Sequence, residues 1–365
     1  MMTHQIVLLG GQLLPVYIGI LERKPQVVHI LYTKETVRLK TRLVKQLSSV
    51  KVFDYQIDPY DYNSIQETVT DIICNNDGAV FELNLTSGTK LMALASQQVF
   101  KTLDCFSFYI DQKRNIIDLS GGTKSKINSS ISTKTFLSLS DHNKFTSTNL
   151  KSFNKEELEL ANSIFELRKN KSGIGELFKL FRAMKVDSEL KYFSFSNSKY
   201  KVSWHSNVLS VKAPRFNLDS KGKSAFKILT TGLWWELIIG VAVNDWKSAK
   251  EIHMSLAIKS NKNTSMDKNE IDILINTGQN VLFIECKSGR VTQSDLNKIR
   301  TVSKFYGGIS SKSILVSFYK PKNHIIEKCR DLDIEMFYFE GVSTKRFELN
   351  TISNKLNKLL NRIEL

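Results

Sequence analysis

Two short aliphatic runs, residues 269–275 and 281–287, are each interrupted by charge in a way that leaves few folds open. Between them lies Asn276-Thr277-Gly278-Gln279-Asn280, a turn composition, so the stretch reads as a β-hairpin. Asp272 interrupts the first run, and Glu285 and Lys287 stand two apart in the second. Side chains alternate across a strand, so Glu285 and Lys287 share a face, and the hairpin pairing brings Asp272 beside them. Two acids and a lysine converging at a strand end make a small pocket for a divalent cation, and carboxylate oxygens suit Mg²⁺ or Mn²⁺. The same residues also suit an ordinary strand pair whose charges are salt-bridged on a solvated face. Spacing alone leaves both readings open.

The rest of the chain narrows the choice. Its 365 residues suffice for two or three domains, and 41% hydrophobic content with five prolines indicates globular material. No apolar run reaches the roughly 18–20 residues of a membrane span. Residues 5–20 are apolar but broken by Gly10, Gly11, Gln12 and Pro15, and they lack the flanks of a signal peptide; the expectation is an intracellular, cytoplasmic protein. Cysteines at 74, 105, 286 and 329 show no C-x-x-C pairing, which indicates neither a zinc site nor a disulfide framework. Cys286 lies between Glu285 and Lys287 and faces the opposite way, toward the core. The net charge is +16 and uneven: residues 1–150 carry 16 basic and 13 acidic side chains, residues 151–365 carry 36 and 23. Excess positive charge in the half holding the acidic motif suggests a polyanionic substrate, although basic decoration for solubility has the same composition.

Taken in order, residues 6–9, 27–32, 50–57 and 79–85 read as strands, each followed by a helical pattern, and 105–110 and 116–119 close the series as strands. This α/β alternation predicts a largely parallel, Rossmann-like sheet, in which ligands bind beyond the carboxyl ends of the strands. Two loops fall there: Gly10-Gly11-Gln12 after the first strand, and Asn84-Leu85-Thr86-Ser87-Gly88-Thr89-Lys90 after the fourth. The second joins small residues, hydroxyls and a lysine at a helix N-terminus, where free N–H groups and the helix dipole favour phosphate. Thr86 and Ser87 fit simple helix capping equally well. The G-x-x-x-x-G-K-[ST] spacing is absent, which argues against nucleoside triphosphate hydrolysis. Residues 123–155 are rich in Ser, Thr, Lys and Asn and read as a connection; 155–169 and 174–184 are helical, and 192–211 alternates as short strands. In the helix that starts at Gly232, Glu236 is an isolated acid among bulky apolar residues. It needs a partner or a metal if buried, or is a surface residue of an amphipathic helix.

Asn269-Glu270-x-Asp272 followed by Ile284-Glu285-Cys286-Lys287 resembles the core of PD-(D/E)xK nucleases. Residues 84–90 resemble the N-x-T-G-G-T-K motif of CARF domains, with Ser87 where glycine is common. Gly232, Trp234 and Glu236 match a Gly-x-W-x-E helix that precedes the nuclease hairpin in CARF-domain CRISPR ancillary nucleases. The order, sensor then nuclease, is that family's order. The resemblance implies an N-terminal Rossmann-like CARF domain over residues 1–125, an intermediate segment over 126–224, and a restriction-endonuclease-like α/β domain over 225–365.

It further implies a two-fold homodimer that binds cyclic oligoadenylate, with cyclic tetra-adenylate the expected ring, in a cradle of two copies of Gly10, Gly11, Gln12, Asn84, Thr86, Ser87, Gly88, Thr89 and Lys90. The activity implied is metal-dependent cleavage of DNA, RNA or both in type III CRISPR antiviral defence. Asp272, Glu285 and the backbone carbonyl of Cys286 would hold Mn²⁺ or Mg²⁺. Lys287 would contact the attacking water or the charge developing on the phosphate, and Glu270 and Glu236 would orient or hold a second ion. Two other readings remain: a non-enzymatic CARF-type regulator whose basic half only binds nucleic acid, and a restriction-type nuclease with no signalling role.

Overall fold

The computed structural model describes residues 1–259, 267–307, 311–339 and 349–364. Two compact units emerge, one of residues 1–143 with 306–310, the other of 144–305 with 311–365. Among the described residues no helix is long and apolar enough to cross a membrane.

The first unit runs β1 (Thr3–Leu8), α1 (Leu14–Arg23), β2 (Val27–Tyr32), α2 (Val37–Gln46), β3 (Lys51–Gln56), α3 (Tyr62–Cys74), β4 (Val80–Asn84), α4 (Lys90–Thr102), β5 (Phe106–Ile110), β6 (Asn115–Asp118), β7 (Lys124–Lys126) and α5 (Thr133–Leu139). Its sheet has the order β3-β2-β1-β4-β5-β6-β7, parallel through β5 and closed by the antiparallel pair β6 and β7. β1 and β2 are buried on both faces, as parallel strands covered by helices must be, which is why aliphatic residues fill the second half of β1 and most of β2. Strand order reverses direction between β1 and β4. The loops leaving these two neighbours therefore lie side by side at the switch point, where open α/β sheets bind ligands.

One buried polar cluster lies in this sheet. His4 Nδ1 is 3.0 Å from His29 Nε2, and His29 Nδ1 is 3.2 Å from the Tyr55 hydroxyl. Burial, and then the neighbouring His4, lower the His29 pKa from 6.5 to about 4. Between those values the unfolded chain binds more protons than the folded one. The histidine's contribution is therefore complete above pH 6.5 and lost as pH falls through about 4. Acidification across this window should cost the unit up to about 3 kcal/mol. In His29→Leu, denaturant melts followed by circular dichroism should show a flatter dependence on pH between 6.5 and 4.

The second unit begins with β8 (Phe145–Thr148), α6 (Lys155–Lys169) and α7 (Ile174–Ala183), followed by an antiparallel meander of β9 (Tyr192–Ser196), β10 (Lys201–His205), β11 (Val208–Ala213) and β12 (Phe216–Lys221). Then come α8 (Ala225–Thr230), α9 (Leu233–Asn244), β13 (Glu251–Lys259), β14 (Asp267–Asn276), β15 (Val281–Lys287), α10 (Gln293–Val302), β16 (Ser311–Ser317), α11 (Asn323–Asp331), β17 (Ile334–Tyr338) and α12 (Leu349–Glu364). A mixed sheet of order β17-β16-β15-β14-β13-β8 carries the hairpin at its centre. β13, β14 and β15 are antiparallel neighbours; β16 and β17 add in parallel through the crossovers α10 and α11.

α9 is apolar almost all round, because α6 and α12 cover what the sheet does not. Trp234 and Trp235 are fully buried, and Trp235 Nε1 donates to the Val316 carbonyl at 3.2 Å, so its one polar atom is satisfied. These contacts hold the first turn of α9 against the ends of β15 and β16.

Candidate active site and ligand loops

The ladder between β14 and β15 runs from Asn276↔Val281 to Ile273↔Ile284. Where it ends, the Asp272 carboxylate receives the Cys286 amide (N···Oδ2 2.7 Å) in place of a backbone carbonyl of β14. Asp272 is thereby locked beside Glu285, on the strand end that the alternation predicts. Glu285 is buried, and two ammonium groups meet its Oε1: Lys287 Nζ at 2.8 Å and Lys298 Nζ at 2.9 Å. Lys287 also reaches Asp295 Oδ1 at 3.1 Å. Asp295 is itself held, because the Thr292 amide and hydroxyl both donate to its Oδ2 at 2.7 Å, at the start of α10.

Glu236, in the first turn of α9, completes an acidic corner. A Cβ built on Gly232 would come 4.0 Å from Glu236 Oε1 and 3.4 Å from Ser288 Oγ, so this turn abuts the end of β15. Glu270 lies two residues before Asp272 on the same face of β14 and is exposed. Burial first, and then the charges of Asp272, Glu270 and Glu285, push the Glu236 carboxyl well above the usual carboxylate range. Asp272 is pushed up by burial and by Glu285, against the Cys286 amide and the two lysines. For Lys287 burial alone would lower the pKa; Glu285 and Asp295 outweigh it and raise the group, so the ammonium stays charged.

The corner therefore has more negative charge than its lysines offset. Among the described residues no three His, Cys, Asp or Glu side chains converge as a complete metal-binding set. The oxygen donors available are Asp272, Glu285 and the carbonyl of Cys286, since the Cys286 side chain belongs to the hydrophobic core and burial raises its thiol pKa well above normal. Two crowded hard carboxylates, with the Asp272 carboxyl pushed up by burial and by Glu285, fit a divalent cation.

Asp295 and Lys298 join the site without a local sequence signal that marks them for it. Lys298 is visible as one of several cations on a helix after E-x-K, but its aim at Glu285 depends on how α10 crosses from β15 to β16.

In the first unit, Gly10 N donates to Ser87 Oγ at 3.0 Å, and Ser87 Oγ donates to the Gln12 carbonyl at 3.4 Å. Ser87, the departure from the usual glycine, thus ties the two loops together. A Cβ on Gly10 would lie 2.7 Å from Gly88 N, and Gly88 has φ +88° with Leu8 Cβ 2.8 Å from its own missing Cβ; both contacts require glycine. Asn84 is buried and works inward: its Oδ1 accepts from Thr86 N at 3.0 Å and Thr86 Oγ1 at 2.6 Å. Its Nδ2 occupies the space that a side chain at position 19 would fill, with Gly19 there instead. Thr86 Oγ1 also accepts from Ile110 N at 3.0 Å. Thr89 caps α4 through Met92 N (3.1 Å) and donates to the Pro59 carbonyl (3.3 Å). The surface left for a ligand is Gly11, Gln12 and Lys90, all exposed, beside partly exposed Gly10, Thr86, Ser87, Gly88 and Thr89.

Comparison with known proteins agrees with this layout. The Card1 CARF domain family matches residues 5–142, and the Card1-like endonuclease domain family matches residues 223–351. Can2 from Sulfobacillus thermosulfidooxidans, solved in complex with cyclic tetra-adenylate, superposes with a TM-score of 0.73 at 20% identity, covering 100% of this chain and 99% of that one. Protein VC1899 from Vibrio cholerae gives 0.71 at 14% identity, covering 98% of each chain. A type III CRISPR defence DNA nuclease activated by cyclic oligoadenylate gives 0.60 at 15% identity, covering 99% of this chain and 52% of that chain. No curated protein sequence matches.

Proposed function

Since the chain belongs to the Card1-type proteins, a CARF domain joined to an endonuclease domain, we propose that it is a metal-dependent nuclease switched on by cyclic oligoadenylate in type III CRISPR defence. The observation that carries the catalytic half is the acidic corner of Asp272, Glu285 and Glu236 around a charged lysine. Asp272, Glu285 and the Cys286 carbonyl would hold Mn²⁺ or Mg²⁺, which when bound supplies Lewis acidity to water and phosphate.

The protein's own side chains do the rest. Asp295 and Glu285 fix the Lys287 ammonium so that it faces the scissile phosphate and offsets the charge that builds there as water adds and the leaving oxygen departs. Lys298 shares the task of neutralising Glu285. Glu236 and Glu270 orient the attacking water from the other side of the corner. Net hydrolysis consumes one water and divides one phosphodiester into a phosphate monoester and an alcohol.

In this reading the first unit, whose CARF match covers residues 5–142, is the sensor, and the second unit, whose endonuclease match covers 223–351, is the nuclease. The sensor works as a homodimer, because a ring with two-fold symmetry is matched by two copies of the same loops. Gly11, Gln12 and Lys90 make the direct contacts. Asn84 and Thr86 keep the loop in shape, which shifts their role from ligand contact to positioning.

The test is cleavage of plasmid DNA and labelled single strands of DNA and RNA in Mn²⁺, with and without cyclic tetra-adenylate. Cleavage only with the activator is the expected result. Binding of nucleic acid without any cleavage would favour the regulator reading, and cleavage indifferent to the activator would favour a restriction-type enzyme.

A further inference from the structure

A cleft of about 1310 Å³ lies within the second unit, walled on one side by α6, α7 and their connection and on the other by the segments after β15 and β16. The first wall supplies Arg168, Lys171, Lys179 and Arg182; the second supplies Arg290, Lys320 and Lys322. Glu176 is the acid among the lining residues, and it is engaged by Lys199 at 3.4 Å and by the Tyr200 hydroxyl at 3.3 Å. At this size the cleft exceeds the range of about 300–1,000 Å³ typical of small-molecule pockets, and with this charge it suits a polyanion.

The cleft is also joined to the acidic corner. Phe318 N donates to the Lys287 carbonyl at 2.8 Å, so the two segments that form the second wall leave the sheet beside Lys287. Gly289 is two residues from Lys287, a reach of at most about 7 Å. The first wall is fixed in place by Arg168, whose guanidinium donates to the Tyr319 hydroxyl and lies over the rings of Phe178, Phe318 and Tyr319 at 5.4–5.8 Å. Its Nε is buried with no hydrogen-bond partner. Gly175 leaves room for this guanidinium, since a Cβ there would lie 2.5 Å from Arg168 Nη1. α7 starts at the cleft with Gly173 at φ +90° and no side-chain cap, which directs free N–H groups toward the same space.

We propose that this cleft holds the phosphodiester backbone of the substrate strand next to the scissile bond, with Lys171, Lys179, Arg182, Arg290 and Lys322 contacting successive phosphates. The inference rests on the nuclease reading for its substrate, but it is measured by binding in the absence of catalysis. The probe is a labelled single-stranded oligonucleotide, with a duplex as comparison, titrated in EDTA with cyclic tetra-adenylate present.

Lys171→Ala/Lys179→Ala/Arg182→Ala should weaken binding by about 10-fold or more at low salt and reduce the log–log salt slope by about 2–3, one increment per lost phosphate contact. In turnover the loss should appear in KM more than in kcat. Arg290→Ala alone, on the opposite wall, should reduce the slope by about 1. Replacing the three first-wall cations by the other basic residue (Lys171→Arg/Lys179→Arg/Arg182→Lys) should restore binding. Unchanged affinity and slope in both alanine proteins would overturn the cleft assignment while leaving the nuclease intact. A wild-type protein that binds no oligonucleotide would overturn it as well, whereas a failed nuclease reading appears separately, as absence of cleavage by protein that still binds.

Discussion

Glu285→Gln and Asp272→Asn are each expected to reduce nucleic-acid cleavage by on the order of 10³-fold or more, with the fold and activator binding retained. Both substitutions keep shape and remove charge. Asn at position 272 keeps an oxygen to accept the Cys286 amide, now at 2.7 Å, so the end of the hairpin stays closed. Gln at position 285 loses two ion pairs, but Lys287 and Lys298 are partly exposed; Lys287 keeps Asp295, and Lys298 turns to water. Asp272→Ala is the contrasting variant. It leaves the Cys286 amide unsatisfied in a part-buried place and should cost about 1–3 kcal/mol of stability in addition to activity. Initial rates with Mn²⁺ and activator, beside thermal melts, separate the two effects. Wild-type rates from purified Glu285→Gln would remove the catalytic assignment.

Activation should depend on Lys90 more than on any other side chain of the sensor loops. It is exposed at the first position of α4, beside Thr89, and has no structural task among the described contacts. A charged hydrogen bond to phosphate contributes about 1.5–3 kcal/mol, and a two-fold cradle loses it twice. Lys90→Ala should therefore shift the activator concentration for half-maximal cleavage by about 100-fold or more, with an unchanged melting temperature.

Thr86→Ala should act differently. It orphans the Ile110 amide and frees Asn84, so part of its effect should appear as a lower melting temperature. Moving the nuclease from 1:99 to 99:1 in favour of its active state takes about 5.5 kcal/mol of differential binding, so losing the lysine alone leaves a residual response. Identical activation curves for Lys90→Ala and wild type would overturn the ligand site.

Sequence alone determined the elements whose signals are local. The hairpin was legible because period-two alternation, a Gly- and Asn-bearing turn and three charges on one face all occur within 19 residues. The parallel sheet was legible because its inner strands read as short, largely apolar runs between helical patterns, even with His29 in β2 and Glu82 in β4. Helices α6 and α7 lie where their apolar spacing places them, α6 with Asn154 as its cap and α7 with no side-chain cap. Other elements depended on partners far away in the chain. β8, which falls in a stretch that reads as a connection, joins the sheet by pairing with β13 more than a hundred residues downstream.

The tertiary structure also decided how the site residues divide their work. Asn84 belongs to the ligand motif by sequence, yet it is buried beside Gly19 with its oxygen accepting from Thr86. Asp295 and Lys298 become part of the acidic corner, and Arg168 part of a cationic wall, only because a crossover helix and an aromatic cluster aim them there. The physical reason is common to all of these. Backbone periodicity says which face a side chain leaves from, whereas the charge that it meets is set by packing between segments distant in sequence.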